Sequence, residues 1–545
     1  MDLITCRLGQ TDFSPVDCES ALKGQKLPEN LGHMAARLCL ISGIRHHLAF
    51  ARSPEVTDLC RTAGQEIFAR ARNARLIMSE EVPGSELMGN KALYPYCIWH
   101  PDVASEDTYR KLAAACPDMR YQVGRACAVA GYDQLYRELD LLPDPCIAEE
   151  AREASRDSDG SRQIFEQIMA APLRYSVMND YDLTVELDRP KPGAFLNADT
   201  AVRATLKERQ IFAPFFRSKR YFNINEDWGI GPETVKLEIA RLTDDEADLL
   251  VSPLPFDLPT MNKDLLILMS ACEGNVDRYV RLRRKGRSVQ YEVQCLIPGI
   301  YRSTAMAFWL DRNPDVMHEV AAVCDEDLVV ELRRGIHARH IMNNATHHLL
   351  DADPPVPDDE LPYWIWYPTI PSPYTLCKLA EARAAMRPQC VRACIAGDYR
   401  EAYTKIMDMP DPNTDMPVDP DDSDDTYEHV PLPADGYLIT EAQSSRSRDF
   451  FLQDMERRRE ERGLKPQQYN DYDDWKILSP WHCGDPSSTI LYGSLPDVGG
   501  CIAQLGGLDF GMWGYWGAEL GRVRLYLSNR GSALSVPHEL SIVLE

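Results

Sequence analysis

Apolar positions recur three and four residues apart through two stretches of the chain, residues 111–136 and 378–403. Each stretch is interrupted by a turn near a Met-Arg pair, Met119-Arg120 in the first and Met386-Arg387 in the second. That spacing marks one face of an α-helix, so each stretch predicts a helical hairpin. Ahead of each lies a short aromatic run bounded by prolines, Tyr94-Pro-Tyr-Cys-Ile-Trp-His-Pro101 and Leu361-Pro-Tyr-Trp-Ile-Trp-Tyr-Pro368. Proline has no amide proton and restricts the residue before it, so such a run cannot be a helix interior. It predicts an extended lead-in whose Trp99 or Trp366 packs on the hairpin.

The two stretches are copies in one unbroken register. Lys111-Leu112-Ala113 returns as Lys378-Leu379-Ala380, Arg125-Ala126-Cys127 as Arg392-Ala393-Cys394, and Tyr132 and Tyr136 as Tyr399 and Tyr403. Downstream, Glu150-Ala151-Arg152 and a helix with Ile164, Phe165 and Ile168 resemble Glu441-Ala442-Gln443 and a helix with Phe450, Phe451 and Met455. The duplicated unit is therefore longer than one hairpin. Two weaker copies emerge from a cysteine followed four positions on by a small or turn-forming residue: Cys39 with Gly43 and Cys295 with Gly299 join Cys127 with Gly131 and Cys394 with Asp398. Arg37, Arg125 and Arg392 stand two residues before three of those cysteines.

One segment resembles an ankyrin repeat. In Leu268-Met-Ser-Ala-Cys-Glu-Gly-Asn-Val-Asp-Arg-Tyr-Val-Arg-Leu-Arg-Arg-Lys-Gly286, Ser270 and Ala271 stand at the small pair and Gly274 and Asn275 at the helix end. Val276, Tyr279, Val280 and Leu282 fill the second helix, and Gly286 closes the unit. Small residues let helices approach, and glycine accepts the positive φ common after a helix C-terminus. Asn262-Lys-Asp-Leu265 replaces the Thr-Pro-Leu-His opening of an ordinary ankyrin unit. Over residues 90–460 the chain resembles a group of uncharacterised fungal proteins with degenerate ankyrin-like helical repeats, and that resemblance implies no particular activity.

These readings predict a mostly α chain: an irregular solenoid of degenerate ankyrin-like helical hairpins with extended lead-ins and long loops. Residues 1–92 read as an N-terminal helical repeat-like region and 93–175 as the first duplicated unit. Residues 176–257 read as an irregular segment that wraps the helices, carrying Phe212, Phe215, Phe216, Tyr221 and Phe222. Residues 258–350 form the central ankyrin-like unit, and 351–465 the second duplicated unit with an acidic loop at 408–436. Repulsion among Asp421, Asp422, Asp424 and Asp425 predicts that this loop is mobile. Residues 466–545 form a Gly- and aromatic-rich tail with neither period.

Charge narrows the partners. A formal net charge of −25 works against phosphate backbones, whose affinity comes from cationic contacts, and favours a basic or polar protein partner. Arg281, Arg283, Arg284, Lys285 and Arg287 form a local basic run that reads as a solvated helix end ahead of an import signal. The first residues lack the apolar core of a signal peptide, and no run is long enough to span a membrane, so the chain reads as cytoplasmic or nuclear with reduced thiols.

Candidate chemistry is sparse. Zinc sites want clustered thiolates or imidazoles, whereas Cys390 and Cys394 are a close pair with no second pair, so Cys39, Cys127, Cys295 and Cys394 read as small buried groups. The adjacent pairs His46-His47 and His347-His348 point in different directions on a helix and read as surface or cap residues. His482-Cys483 places a thiol beside an imidazole without the oriented contact that nucleophilic catalysis needs, and Glu226-Asp227 is one acidic pair among many. No phosphate loop, serine elbow or His-Glu-x-x-His motif occurs. No catalytic, cofactor-binding or metal residue is assigned and no cofactor is implied. The expected function is a protein-interaction scaffold or adaptor. The alternative is a hydrolase or transferase with a site between the irregular middle and the C-terminal tail.

Overall fold

The computed structural model describes residues 14–463 apart from 33, 199, 203–243, 262, 285–288, 290–291, 322–325, 363 and 411–435. The described residues are mostly helical, as the spacing predicts, and fall into two compact units, Met1–Lys263 with Arg284–Arg287, and Asp264–Arg283 with Ser288–Glu545.

The first unit runs α1 (Pro15–Leu22), α2 (Met34–His46), α3 (Leu48–Ala51), α4 (Pro54–Arg61) and α5 (Glu66–Met78), then the lead-in. It continues with α6 (Glu106–Ala115), α7 (Arg120–Ala130), α8 (Asp133–Leu139), α9 (Pro145–Ala154) and α10 (Asp159–Met169). Helix starts follow local chemistry: the Ser53, Ser105 and Ser158 side chains each accept an amide of the first turn, which satisfies a donor the helix leaves open. Two antiparallel pairs of two-residue strands follow, Tyr175–Ser176 with Lys191–Pro192 and Met178–Asn179 with Thr184–Val185. Helix α11 (Asp244–Val251) comes after them. One apolar cluster gathers Ile98, Trp99, Tyr109, Leu112, Cys127, Ile147, Ile164 and Ile168, and a second gathers Cys39, Ile41, Ile44 and Phe68 under α1 to α5.

The second unit runs α12 (Asp264–Glu273), α13 (Val276–Leu282), α14 (Glu292–Arg302), α15 (Thr304–Asp311), α16 (Pro314–Ala321), α17 (Glu326–Met342) and α18 (His347–Leu350). After its own lead-in come α19 (Pro373–Ala382), α20 (Arg387–Ala396), α21 (Arg400–Met407), α22 (Gly436–Ser444) and α23 (Arg448–Glu461).

The duplication reaches further upstream than the hairpins. A Cβ on Gly43 of α2 would lie 1.8 Å from the Ala21 carbonyl oxygen of α1, and one on Gly299 of α14 would lie 1.9 Å from that of Ala271 in α12. Each glycine thus lets its helix rest directly on a neighbouring backbone. Arg75 of α5 donates to the Arg45 carbonyl at 3.4 Å, and Arg339 of α17 donates to the Tyr301 carbonyl at 2.9 Å. Both helices end alike. Glu80 has φ 69° and Asn344 φ 63°. The amides of Glu80 and Glu81 return to the Ile77 and Leu76 carbonyls, as those of Asn344 and Ala345 return to Ile341 and His340. This paired bonding around one left-handed residue closes the last carbonyls of a helix.

Candidate functional site

Among the described residues of the first unit, a dense buried polar arrangement lies beside the Trp99 lead-in. The Arg125 side chain of α7 is fully buried, with its guanidinium 4.7 Å from the centroid of the Trp99 ring. It donates to Glu150 of α9 at 3.2 Å, to the Thr200 carbonyl at 3.0 Å, and to both oxygens of Asp180. Trp99 Nε1 donates to Glu150 at 3.0 Å, the Val202 amide reaches the same carboxylate at 2.8 Å, and Tyr96 donates to Asp180 at 2.6 Å. Burial works to lower the pKa of Arg125, but Asp180 and Glu150 hold it well above the ordinary value. Burial pushes Glu150 up, against the pull of Arg125. A buried ion pair is sustained only where geometry and further hydrogen bonds offset desolvation, and here both terminal nitrogens of Arg125 are hydrogen-bonded while Trp99, Tyr96 and the Val202 amide also donate to the two carboxylates.

Two more buried groups extend the arrangement. Glu149 accepts the amides of Asn197, Ala198 at 2.9 Å and Thr200 at 3.0 Å. Lys263 is buried and donates to Tyr181 at 3.0 Å and to the Asn197 side chain at 2.7 Å. Asp144, at the start of α9, accepts the amides of Cys146, Val177 and Met178, each at 2.8 Å, while burial raises its pKa to about 6. These contacts anchor the segment that includes the short strands to α9.

The second unit repeats the centre of this clamp. Arg392 of α20 is fully buried, 4.9 Å from the Trp366 ring centroid, and donates through Nε to Glu441 of α22 at 3.0 Å. The third arginine of the series, Arg37, stands 5.1 Å from the Phe68 ring centroid, so all three cover an aromatic ring. A guanidinium over a ring face gains quadrupole attraction, more so when desolvated. Cys39, Cys127, Cys295 and Cys394 are fully buried, and burial pushes their thiols up, Cys39 to about 12. They act as small apolar groups between helices.

The histidines separate. His46 and His47 bond to the Ser42 and Leu22 carbonyls, as surface and cap residues do. His347 and His348 open α18 with His347 exposed, as expected of surface or cap residues, but His348 also meets a histidine of another helix. His348 stacks on His340 of α17 at a ring separation of 3.9 Å, and Asp311 at the end of α15 lies 3.6 Å from His340 and 3.8 Å from His348. The reason is the left-handed turn at Asn344, which sends the chain back over the last turn of α17. The sequence signal was His337, His340, His347 and His348 standing within one short segment; Asp311 left no comparable mark. Glu226-Asp227 and His482-Cys483 lie outside the described residues. Arg283 is ion-paired with Glu319, so the basic run is not simply a solvated helix end.

Among known families, the model of the YKP1 C-terminal domain matches residues 99–206. The match runs from Trp99 through Arg125 and Glu150 to the segment that supplies Asp180 and Thr200. No curated protein and no solved structure matches the chain. No described helix is long and apolar enough to cross a membrane.

Proposed function

We propose that the protein is an interaction scaffold built on degenerate ankyrin-like helical pairs, located in the cytoplasm or nucleus, with a basic or polar protein as its partner. The observation that carries this reading is the repeated clamp. In both units a buried arginine and its carboxylate partners are used in holding an extended lead-in to helices: Arg125, Glu150 and Asp180 in one, Arg392 and Glu441 in the other. What each unit then offers outward is helix and loop surface, including the exposed Val103, Leu142 and Tyr374. Stacked helical pairs make extended binding faces without a shared reaction centre. The ankyrin-like character is supported at α12 and α13, where Gly274 has φ 68° and Asn275 caps the second helix. The net charge of −25 favours a basic partner.

Affinity capture of the full chain from native extract, with cross-linking and mass spectrometry, tests the proposal. The expected result is a stoichiometric protein partner, weakened by salt, with cross-links on residues 93–175 or 351–465. Turnover of a small substrate with no retained protein would overturn it in favour of a hydrolase or transferase.

A further inference from the structure

We propose that Asp311, His340 and His348 form a binding site for a zinc-class divalent metal ion, with Asp311 Oδ2, His340 Nε2 and His348 Nδ1 as ligands. This goes beyond the scaffold reading and stands independently of it.

Three observations point the same way. First, His340 is only 2 % exposed, and neither Nδ1 nor Nε2 has a hydrogen-bond partner. Its nearest acceptor, Asp311 Oδ2 at 3.6 Å, lies beyond the range of about 2.7–3.2 Å for such a bond. A buried polar group left unpaired costs about 1–3 kcal/mol, and a metal is one of the few partners that satisfies an imidazole nitrogen without a proton. Second, the spacing suits an ion. Ligands about 2.0–2.2 Å from a tetrahedral zinc lie about 3.3–3.6 Å apart. The two nitrogens stand 3.6 and 3.8 Å from the carboxylate oxygen, and all three donor atoms lie within 4.8 Å of one another. Small rotations of the partly exposed Asp311 and His348 close the remaining gap. Third, the fold does not need the histidine. In the first unit the same helix end, with the same closing hydrogen bonds, carries Leu76 at the position of His340.

The surroundings agree. The Phe308 ring packs edge-on against His340 at 4.5 Å and against His348 at 5.9 Å, giving the ligands an apolar wall. Two imidazoles and one carboxylate leave a fourth position open on the Asp311 side, where the carboxylate is 41 % exposed. Nitrogen and oxygen ligands of this set favour zinc, cobalt(II) or nickel(II) over thiolate-selective ions.

The full chain, stripped with chelator, is titrated with cobalt(II) and then zinc, read by ligand-field absorption and thermal denaturation. Wild type is expected to take up one equivalent with a nitrogen and oxygen ligand spectrum, free of thiolate charge-transfer bands, and to melt at higher temperature when loaded. His340→Leu, which restores the residue of the first unit, is expected to fold and to lose affinity at least about 100-fold. Asp311→Asn, on an exposed side chain, is expected to lose at least about tenfold, the lower end for a disturbed metal site. Absence of binding to wild type overturns the assignment, as does undiminished affinity in both variants or a thiolate spectrum.

Discussion

Both units pin an aromatic lead-in to the end of a helix, but by different chemistry. In the first, Arg45 of α2 donates to the carbonyls of Cys97 at 2.8 Å and His100 at 2.6 Å. In the second, Tyr301 stands at the corresponding place and its ring lies 6.0 Å from that of Trp364, the counterpart of Cys97. A charged donor with small neighbours has been exchanged for a pair of rings. The position is constrained by geometry, since each side chain bridges the same two segments, while its polarity is free to change with its partner. By that standard the Leu76 and His340 pair is the exception: leucine suffices at that helix end, whereas histidine brings two unpaired buried nitrogens.

The largest test of the comparison removes the clamp arginines. Arg125→Met leaves Glu150 and Asp180 facing each other without their cation, and breaking one partner of a buried ion pair typically costs about 3–5 kcal/mol. Arg392→Met strips Glu441 and is expected at the lower end of that range. Denaturant unfolding measures both. Equal losses would mean that the second carboxylate in the first unit contributes nothing, and a loss under about 1 kcal/mol would remove the clamp from the account of stability.

Trp366→Ala follows, with an expected loss of about 3–5 kcal/mol from lost apolar contact and the cavity left behind. In a repeat protein such a loss stays largely local. Hydrogen exchange is expected to accelerate within about residues 360–460 and to leave residues 14–202 unchanged. Uniform acceleration would show that the two units unfold as one.

The sequence carried the hairpins and lead-ins because their signals are local: helical spacing, bounding prolines and one shared register from Trp99 to Tyr136. The arginines were visible only as companions of the cysteines. Their role depends on Asp180, 55 residues from Arg125, and no spacing rule links such a pair. The upstream copy, α1 to α5 against α12 to α17, left only the Cys-to-Gly interval, because helix packing tolerates many apolar side chains but few substitutes for a glycine on a carbonyl. The histidine cluster was missed for a related reason. Adjacent imidazoles diverge on a continuous helix, but His340 and His348 belong to two helices joined by a left-handed turn.

Gly43→Ala and Gly299→Ala probe that upstream copy. Each new methyl group would meet a backbone oxygen that cannot rotate away, so the helices must separate, at about 1–3 kcal/mol. Thermal denaturation is expected to give similar losses for the two. A neutral result at one site alone would mean that its helix pair is looser than its copy.

The smallest and most specific test concerns the residues in the left-handed turns. Glu80 accepts the Ser105 amide at 2.8 Å and the Ser105 hydroxyl at 2.6 Å, which ties the end of α5 to the start of α6. Asn344 does the same between α17 and α19, accepting the Ser372 amide at 2.7 Å and the Thr375 hydroxyl at 2.8 Å. Only the first of these ties titrates. Hydrogen bonds from Ser105 and Thr108 hold the Glu80 carboxyl below its ordinary pKa. A carboxyl depressed in the native state stabilises the fold above its unfolded pKa of about 4.3 and loses that contribution as pH falls through the native value. Because Glu80 is exposed, solvent screening keeps the effect under about 1 kcal/mol. Glu80→Gln is therefore expected to speed exchange at the start of α6 at neutral pH, with the difference from wild type shrinking as pH falls below about 4.3 and vanishing at an acid pH below the depressed native value. Asn344→Gly keeps the backbone conformation and removes only the acceptor, so its difference at the start of α19 is expected to be the same at both pH values. A pH-independent gap for Glu80→Gln, or a pH-dependent one for Asn344→Gly, would mean that the two turns are held by something other than these side chains.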